Sequence, residues 1–342
     1  MGIRDVAKAS GVSPSTAALA LKGGPGVAAE TVALVQRVAR QLKYRPGRAG
    51  RPRRLPDDPR SLRRTNRLAL VSWRMPEAWL NTPVYMAVIR GVEEGAYAHG
   101  KALVLRHIPP ESALEGQSPT PSVDGLILFG RPAGNEQSQF RQLPCVRIMG
   151  ADVGRSGPWD HITYDDEQVG VIAADYLIKR GHSHVAFIGN RPAEGSRGAS
   201  FLQRSKDRGV EASLLSTPRP LLVVSGPVQT ANGAAFAELV ETWLALELRP
   251  TGLFVHADAI AQALQPALIA RGMRPGREVE LISCNNEQIL LSGLVPRPAT
   301  VDIHAEAIGR RAVEQLLARI ENPGLPRLTM AMEPELIAGD GE

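Results

Sequence analysis

The stretch Asp5-Val6-Ala7-Lys8-Ala9-Ser10-Gly11-Val12-Ser13-Pro14-Ser15-Thr16 decides how this chain is read. Its first five residues make a brief helical run that Ser10-Gly11 ends, because glycine enters the left-handed backbone region without steric cost. Ser13 is a good N-cap and Pro14 a good first helical residue, so a second helix starts there. That helix continues over residues 16–21, and Gly23-Gly24-Pro25-Gly26 stops it. Helix, short turn and helix at this spacing make a helix-turn-helix, in which the first residues of the second helix enter the DNA major groove. Ser13, Pro14, Ser15, Thr16, Ala17 and Ala18 are then the residues expected at base edges. Hydroxyls bond phosphates or bases, and an alanine methyl touches a thymine methyl. A third helix is expected from about Ala29 to Lys43, with Val32, Val35, Val38, Ala39 and Leu42 near one face. The spacing alone also suits a three-helix bundle without a ligand.

Charge bears on that choice. The net charge over 342 residues is +5, but residues 1–67 hold 15 Lys and Arg against four acids, a local +11. The remaining residues hold 25 bases and 31 acids, or −6. A short basic segment on a longer, mildly acidic body is the footprint of a nucleic-acid-binding module; a basic disordered tail leaves the same count. Length predicts about two domains. No apolar run approaches the ~18–20 residues that span a bilayer. Residues 1–10 lack the apolar centre of a signal peptide, and Cys145 and Cys284 are too few for a disulfide framework. A cytoplasmic setting is the expectation.

Residues 45–67 carry nine Arg, four Pro and almost no apolar side chains, so they read as a linker that cannot bury enough surface to offset ordering entropy. From Leu68 onward short apolar strands alternate with helices. Strands are expected at 68–71, 102–105, 123–129, 146–149, 184–188, 221–224, 252–255 and 279–282. Helices are expected at 84–99, 167–180, about 197–208, 232–247, 258–271 and roughly 304–321. This alternation implies α/β architecture, with parallel sheets covered by helices on both faces. About 270 residues exceed one doubly wound domain, so two lobes are expected.

Asp5-Val6-Ala7, Gly11-Val12-Ser13, Thr16 and Tyr44-Arg45-Pro46 stand at the spacing of the lactose-repressor (LacI/GalR) headpiece, which residues 3–46 resemble. Val123-Asp124-Gly125-Leu126-Ile127, Gly181-His182 with Val185-Ala186-Phe187-Ile188-Gly189, Pro250-Thr251-Gly252-Leu253-Phe254 and Thr300-Val301 extend the resemblance over nearly the whole chain. It implies a helix-turn-helix headpiece (1–46), a hinge linker (47–67) and a two-lobed, periplasmic-binding-protein-like core (68–342). Lobe 1 is expected at about 68–161 and 286–302, lobe 2 at about 163–284 and 304–338. It further implies a homodimer that reads a near-palindromic operator as a transcriptional regulator, commonly a repressor, and answers a small polar effector of sugar or sugar-derivative class held between the lobes.

The departures matter as well. Where the family commonly has Val-Ser-Arg in the recognition helix, this chain has Ala17-Ala18-Leu19, so an operator sequence is not inherited. Ala28 replaces the usual Ser or Thr cap of the third helix. The hinge, Gly47-Arg48-Ala49-Gly50-Arg51-Pro52-Arg53-Arg54-Leu55, contains a proline that opposes a helix interior by about 3 kcal/mol. The family's minor-groove leucine is replaced by Arg53, with Leu55 two residues on. Tyr44, Arg45, Arg48, Arg51, Arg53 and Leu55 complete the expected DNA contacts, and the arginines are expected to follow phosphates or a narrow minor groove by charge. A solvated linker is the plain alternative.

Ligands of open α/β sheets bind beyond the carboxyl ends of strands. Ser72, Trp73, Arg131, Asp165, Asp258 and Asn285 are therefore expected effector contacts, and the resemblance adds Arg197. The resemblance assigns Asp165-Asp166 to the family's crossover Asp-Asn pair and Arg197 to its Arg-x-x-Gly-Phe element. It assigns Ala257-Asp258 to its Asn-Asp pair and Ser283-Cys284-Asn285-Asn286 to its Gly-Phe-Asp-Asp. Trp73, with Trp79, is a candidate to stack on a sugar face; core packing is its plain reading, and helix capping that of Asp258. No metal or cofactor is expected, since no GxxxxGK[ST], HExxH or GxSxG occurs and His182-Ser183-His184 lacks a third ligand. An enzyme is thus not expected. A soluble sugar-binding protein of the same core fold is the alternative, and the basic headpiece argues against it.

Overall fold

The computed structural model describes residues 3–22, 27–42, 65–112, 122–150, 157–225 and 227–340. They fall into two units, Met1–Arg63 and Arg64–Glu342. The first unit holds α1 (Ile3–Ala9), α2 (Pro14–Lys22) and α3 (Ala29–Gln41). Its small core is Val6, Ala7, Ala17, Ala20, Val35 and Ala39, with Ile3, Val12, Val32 and Leu42 packed against it. Gly11 turns the chain between α1 and α2 at φ +64°, as the sequence required.

In the second unit, one six-stranded sheet is made of β1 (Arg67–Trp73), β2 (Ala102–Ile108), β3 (Gly125–Phe129), β4 (Cys145–Ile148), β5 (Asp160–Tyr164) and β13 (Thr329–Met332). Its order is β13-β5-β4-β3-β1-β2 and every pairing is parallel. A second six-stranded sheet has β6 (His184–Ile188), β7 (Glu211–Leu215), β10 (Gly252–Val255), β11 (Glu280–Cys284), β12 (Ala299–Asp302) and β14 (Glu335–Ile337) in the order β14-β12-β11-β10-β6-β7. It is parallel except for β14, which closes one edge antiparallel to β12. A hairpin of β8 (Leu222–Ser225) and β9 (Val228–Ala231) stands outside both sheets, so the strand expected at 221–224 forms but joins neither.

The strands read as unbroken apolar runs because both faces are covered. Leu68 and Leu70 of β1 point into one cluster of buried side chains, Ala69 and Val71 into another. Val185 and Phe187 of β6 likewise face away from Ala186 and Ile188. The covering helices include α4 (Glu77–Leu80), α5 (Pro83–Ala98), α6 (Asp166–Lys179), α7 (Arg197–Asp207), α8 (Gly233–Leu244), α9 (Asp258–Ile269), α10 (Gln288–Leu291) and α11 (Ala305–Glu321). Helices α5 and α11 cross closely at Gly91 and Gly309. A Cβ at Gly91 would stand 1.9 Å from the Glu306 carbonyl oxygen.

The lobe boundaries expected from sequence need correction. β12 lies in the second sheet, so 286–302 belongs to lobe 2 rather than lobe 1. Helix α11 packs on α5 and on β3, β4 and β5, and β13 adds to the first sheet, so 305–332 belongs to lobe 1. Only β14 returns to lobe 2. Among the described residues the chain thus crosses between lobes three times. The third crossing was missed because Thr329–Met332 and Glu335–Ile337 are short and partly polar, with little periodicity to mark them.

Candidate DNA-reading helix and interlobe site

Helix α2 begins as its sequence dictates. Ser13 Oγ accepts the N–H of Thr16 at 3.1 Å, capping the helix, and lies 2.8 Å from Thr16 Oγ1. The two hydroxyls therefore occupy one another. Ala17 does not face outward as expected. It is fully buried with Ala20, because positions three and four apart share the inner face of a helix. Its methyl serves the headpiece core. The outer face carries Pro14 and Ser15, both exposed, Ala18, half-buried, and Leu19, which is 45% exposed. Leu19 was missed as a face residue, although it lies four residues after Ser15 and thus directly above it. Tyr44, Arg45, Arg48, Arg51, Arg53 and Leu55 lie outside the described residues.

In the core, both sheets have the strand order of doubly wound folds, with switch points between β1 and β3 and between β6 and β10. Arg197, the first residue of α7, stands at the second switch point and is 4% exposed. It gathers groups from four segments. Its Nε donates to Asp166 Oδ1 at 2.6 Å, and its backbone N–H to Asp166 Oδ2 at 2.9 Å. Nη1 reaches the His256 carbonyl oxygen at 3.0 Å and Asn285 Oδ1 at 3.5 Å, and Nη2 donates to the Tyr164 hydroxyl at 3.0 Å. The guanidinium also lies over the Tyr164 ring, 5.4 Å from its centroid. Gly170 of α6 allows this approach, since a Cβ there would stand 2.0 Å from the Arg197 carbonyl oxygen.

Electrostatics follow from burial. Desolvation opposes the Arg197 charge, but Cys284, Tyr164 and Asp166 outweigh it and hold its pKa above the usual value. Burial pushes the Tyr164 phenol and the Cys284 thiol each up to about 12. Burial, helped by Arg197, pulls His256 down to about 4, so its ring is neutral near pH 7. Beside this lies an acidic pair. Glu287 is pushed up to about 7 by burial and by Asp258, and Asp258 to about 6 by burial. Glu287 Oε1 accepts the Val84 N–H at 3.1 Å, so a lobe 2 carboxylate meets the first turn of α5 in lobe 1. Asn81 Nδ2 donates to the Pro227 carbonyl oxygen at 2.6 Å, a second bridge from lobe 1, here to the β8–β9 turn.

Of the expected effector contacts, the structure brings Arg197 and Asn285 together. Asp165 is half-buried and caps α6, accepting the Gln168 N–H at 3.0 Å. Arg131 follows β3 and is exposed. Three expectations need correction. Trp73 is 1% exposed, its ring edge-on to Phe140 and its N–H on Glu136, so it is core and has no face for a sugar. Ser72 is equally buried and hydrogen-bonded to the Tyr85 hydroxyl. Asp258 is fully buried; Oδ1 accepts from Ser283 and Thr300, and Oδ2 from the Glu287 N–H. It is the first residue of α9, not its cap, which is Ala257. The first strand runs two residues further than expected, so Ser72 and Trp73 lie within it, and alternation decided which side chains faced inward. Tyr164, His256 and Glu287 were missed as members of the site, and Asp166 entered only through the resemblance. Asp166 had a signal: the resemblance places an amide there, and a carboxylate at that depth needs a cation. His182 is structural, tying Thr251 Oγ1 to Glu280 at 2.8 and 2.9 Å. Among the described residues no group of three or more His, Cys, Asp or Glu could hold a metal, and no helix is long and apolar enough to cross a membrane.

Residues 2–47 match the bacterial regulatory proteins of the lacI family, and residues 174–340 match the periplasmic binding protein-like domain. The chain belongs to the lacI family. Full-length relatives agree with this placement of the lacI-family chain. It is 27% identical over 348 residues to an HTH-type transcriptional repressor, PurR, of Edwardsiella ictaluri, covering 98% of this chain and 95% of the relative. It is 27% identical over 358 residues to the HTH-type transcriptional regulator GntR of Pseudomonas aeruginosa, covering 98% and 94%. The fold is that of the regulator CelR in its cellobiose complex (TM-score 0.63, 21% identity, all of both chains) and of the lac repressor dimer bound to operator and an anti-inducer (TM-score 0.61, 17% identity, 100% and 98%). Like those curated relatives, this lacI-family protein is a DNA-binding transcriptional regulator and not an enzyme.

Proposed function

We propose that this regulator is a repressor that binds a near-palindromic operator as a homodimer in the cytoplasm and is released or retained by a small polar effector held between its lobes. The observation that carries the effector reading is the buried Arg197 cluster at the switch point, where a guanidinium, a phenol and an amide from separate segments converge. Such a set suits a polyhydroxy or anionic small molecule, of the sugar or sugar-derivative class. Asp165, Arg131 and Asn285 are the further contacts in this reading. The homodimer is supported by apolar side chains on the outer face of α5, where Met86 and Tyr97 are 50% and 86% exposed and lie three turns apart. A relative's structure with operator is itself a dimer.

The test is a thermal-shift screen against sugars, sugar acids and sugar phosphates, followed by DNA titration with any compound that binds. An Arg197→Ala variant is expected to lose the shift and the effector response while keeping operator affinity within about threefold. A full response from that variant removes the interlobe assignment. The linker arginines Arg48, Arg51 and Arg53 are proposed as phosphate contacts. Replacing all three with alanine lowers the slope of log affinity against log salt by about 2 to 3 if each neutralises one phosphate. An unchanged slope makes them a solvated linker.

A further inference from the structure

The outer face of α2 is short of hydrogen-bonding groups. Ser13 and Thr16 spend their hydroxyls on each other and on the helix cap. Ala17 is buried. Among the described side chains the outward positions are Pro14, Ser15, Ala18 and Leu19, and only Ser15 among these has a polar side chain. None has the paired donors or acceptors of Arg, Asn or Gln that read guanine or adenine by two bonds at once. Leu19 is 45% exposed on a helix whose other large aliphatic side chain, Leu21, packs against the core. With Leu19, Ala18 and Pro14 all on the outer side, the described part of that side is mostly apolar.

The major groove offers one apolar group on its base edges, the C5-methyl of thymine. We infer that Leu19, with Ala18 and Pro14, makes this helix a reader of methyl groups, so that operator choice depends on thymine C5-methyls rather than on bidentate hydrogen bonds. The occupant is duplex DNA. The lacI-family headpiece and the +11 charge of residues 1–67 bring the helix to the groove, and the apolar face sets what it selects there. This rests on the reading of α2 as the helix that enters the major groove. It goes further by naming the chemical group recognised and the side chain that recognises it.

The experiment starts by selecting a site from random duplex DNA with the full-length protein. The selected duplex is then made with deoxyuridine in place of each thymidine in turn, which removes only the methyl. Burying one methyl corresponds to about fourfold in affinity, so loss at both halves of a palindrome is expected to weaken binding by roughly 15-fold. Changing the responsive T·A pair to 5-methyl-dC·dG is expected to bind more tightly than changing it to dC·dG, because the methyl returns at the same place. Leu19→Ala, at an exposed position that spares the fold, is expected to bind the thymidine and deoxyuridine duplexes alike and to keep its salt slope. Equal affinity of the wild-type protein for both duplexes at every position overturns the inference, and so does a methyl effect that survives Leu19→Ala. If no sequence is enriched, the failure lies one step earlier, with major-groove reading by α2, and the inference falls with it.

Discussion

Glu287 is the residue whose environment departs most usefully from its type. A carboxyl ordinarily near 4.5 is pushed up to about 7, because it is buried, faces Asp258 and has only the Val84 N–H and the Asn285 amide to stabilise its charge. A raised acid favours the folded state when protonated, so its contribution is complete below about pH 4.5 and is lost as pH rises through about 7. His256 acts in the opposite sense. Held neutral down to about 4, it costs stability as pH falls below 6.5. A bare melting curve mixes the two, but Glu287→Gln separates them, since glutamine keeps the acceptor for Val84 and carries no charge. The melting temperature of the variant minus that of the wild type is expected to rise between about pH 5 and about pH 8. A difference that stays flat across that range means the carboxyl titrates normally. None of this was legible in the sequence, where Glu287 is one acid among 35; burial is what singles it out.

At the scale of elements, helix starts were the most legible features. Ser13-Pro14 opens α2, and α5, α6, α7 and α8 begin at Thr82, Asp165, Ser196 and Asn232, side chains that each accept a backbone N–H three residues on. Helix α3 lacks this. Its cap, Ala28, has the extended backbone of an N-cap and no side chain to bond. Ala28→Ser is expected to add about 1 kcal/mol locally, seen as roughly fivefold slower hydrogen exchange of α3 amides in the full chain. Unchanged exchange means that another group already satisfies the first turn. Membership of a sheet was less legible. β12 and β13 are separated in sequence by one helix and assigned to opposite lobes by strand pairing, which is long-range and leaves no local mark. The same limit explains Trp73 and Asp258. Asp258 follows its strand as expected and Trp73 ends a strand that runs longer than expected, but whether each faced a cleft or a core depended on neighbours distant in the chain.

For the whole molecule, the place to test transmission under the proposed function is where the core begins. Asp124 accepts bonds from the Thr65 N–H and hydroxyl and from the Asn66 N–H, while Asn66 bonds the Gly100 carbonyl and Lys101 Nζ. The last residues before β1 are thereby fastened to lobe 1. Asp124→Ala is expected to leave operator affinity without effector, and effector binding itself, nearly unchanged, while reducing the coupling between them, ordinarily about 1–3 kcal/mol. DNA titrations with and without effector measure this directly, and full coupling in the variant places transmission elsewhere. Coupling of that kind needs a motion, and the three crossings between lobes define it. They pass through Asp165, through Ile303-His304 and through residues 333–334, and the first and third are joined by the Asp165 N–H bond to the Met332 carbonyl at 3.0 Å. Tethers of one or two residues, the first and third laid side by side, resist stretching and sliding but yield to bending and twist. The core is in effect a flexure joint. What an effector can write into it is an angle, so two spectroscopic labels set on the two lobes far from the tethers, near Asn81 and Pro227, will register the message, and two set beside the tethers will register almost none.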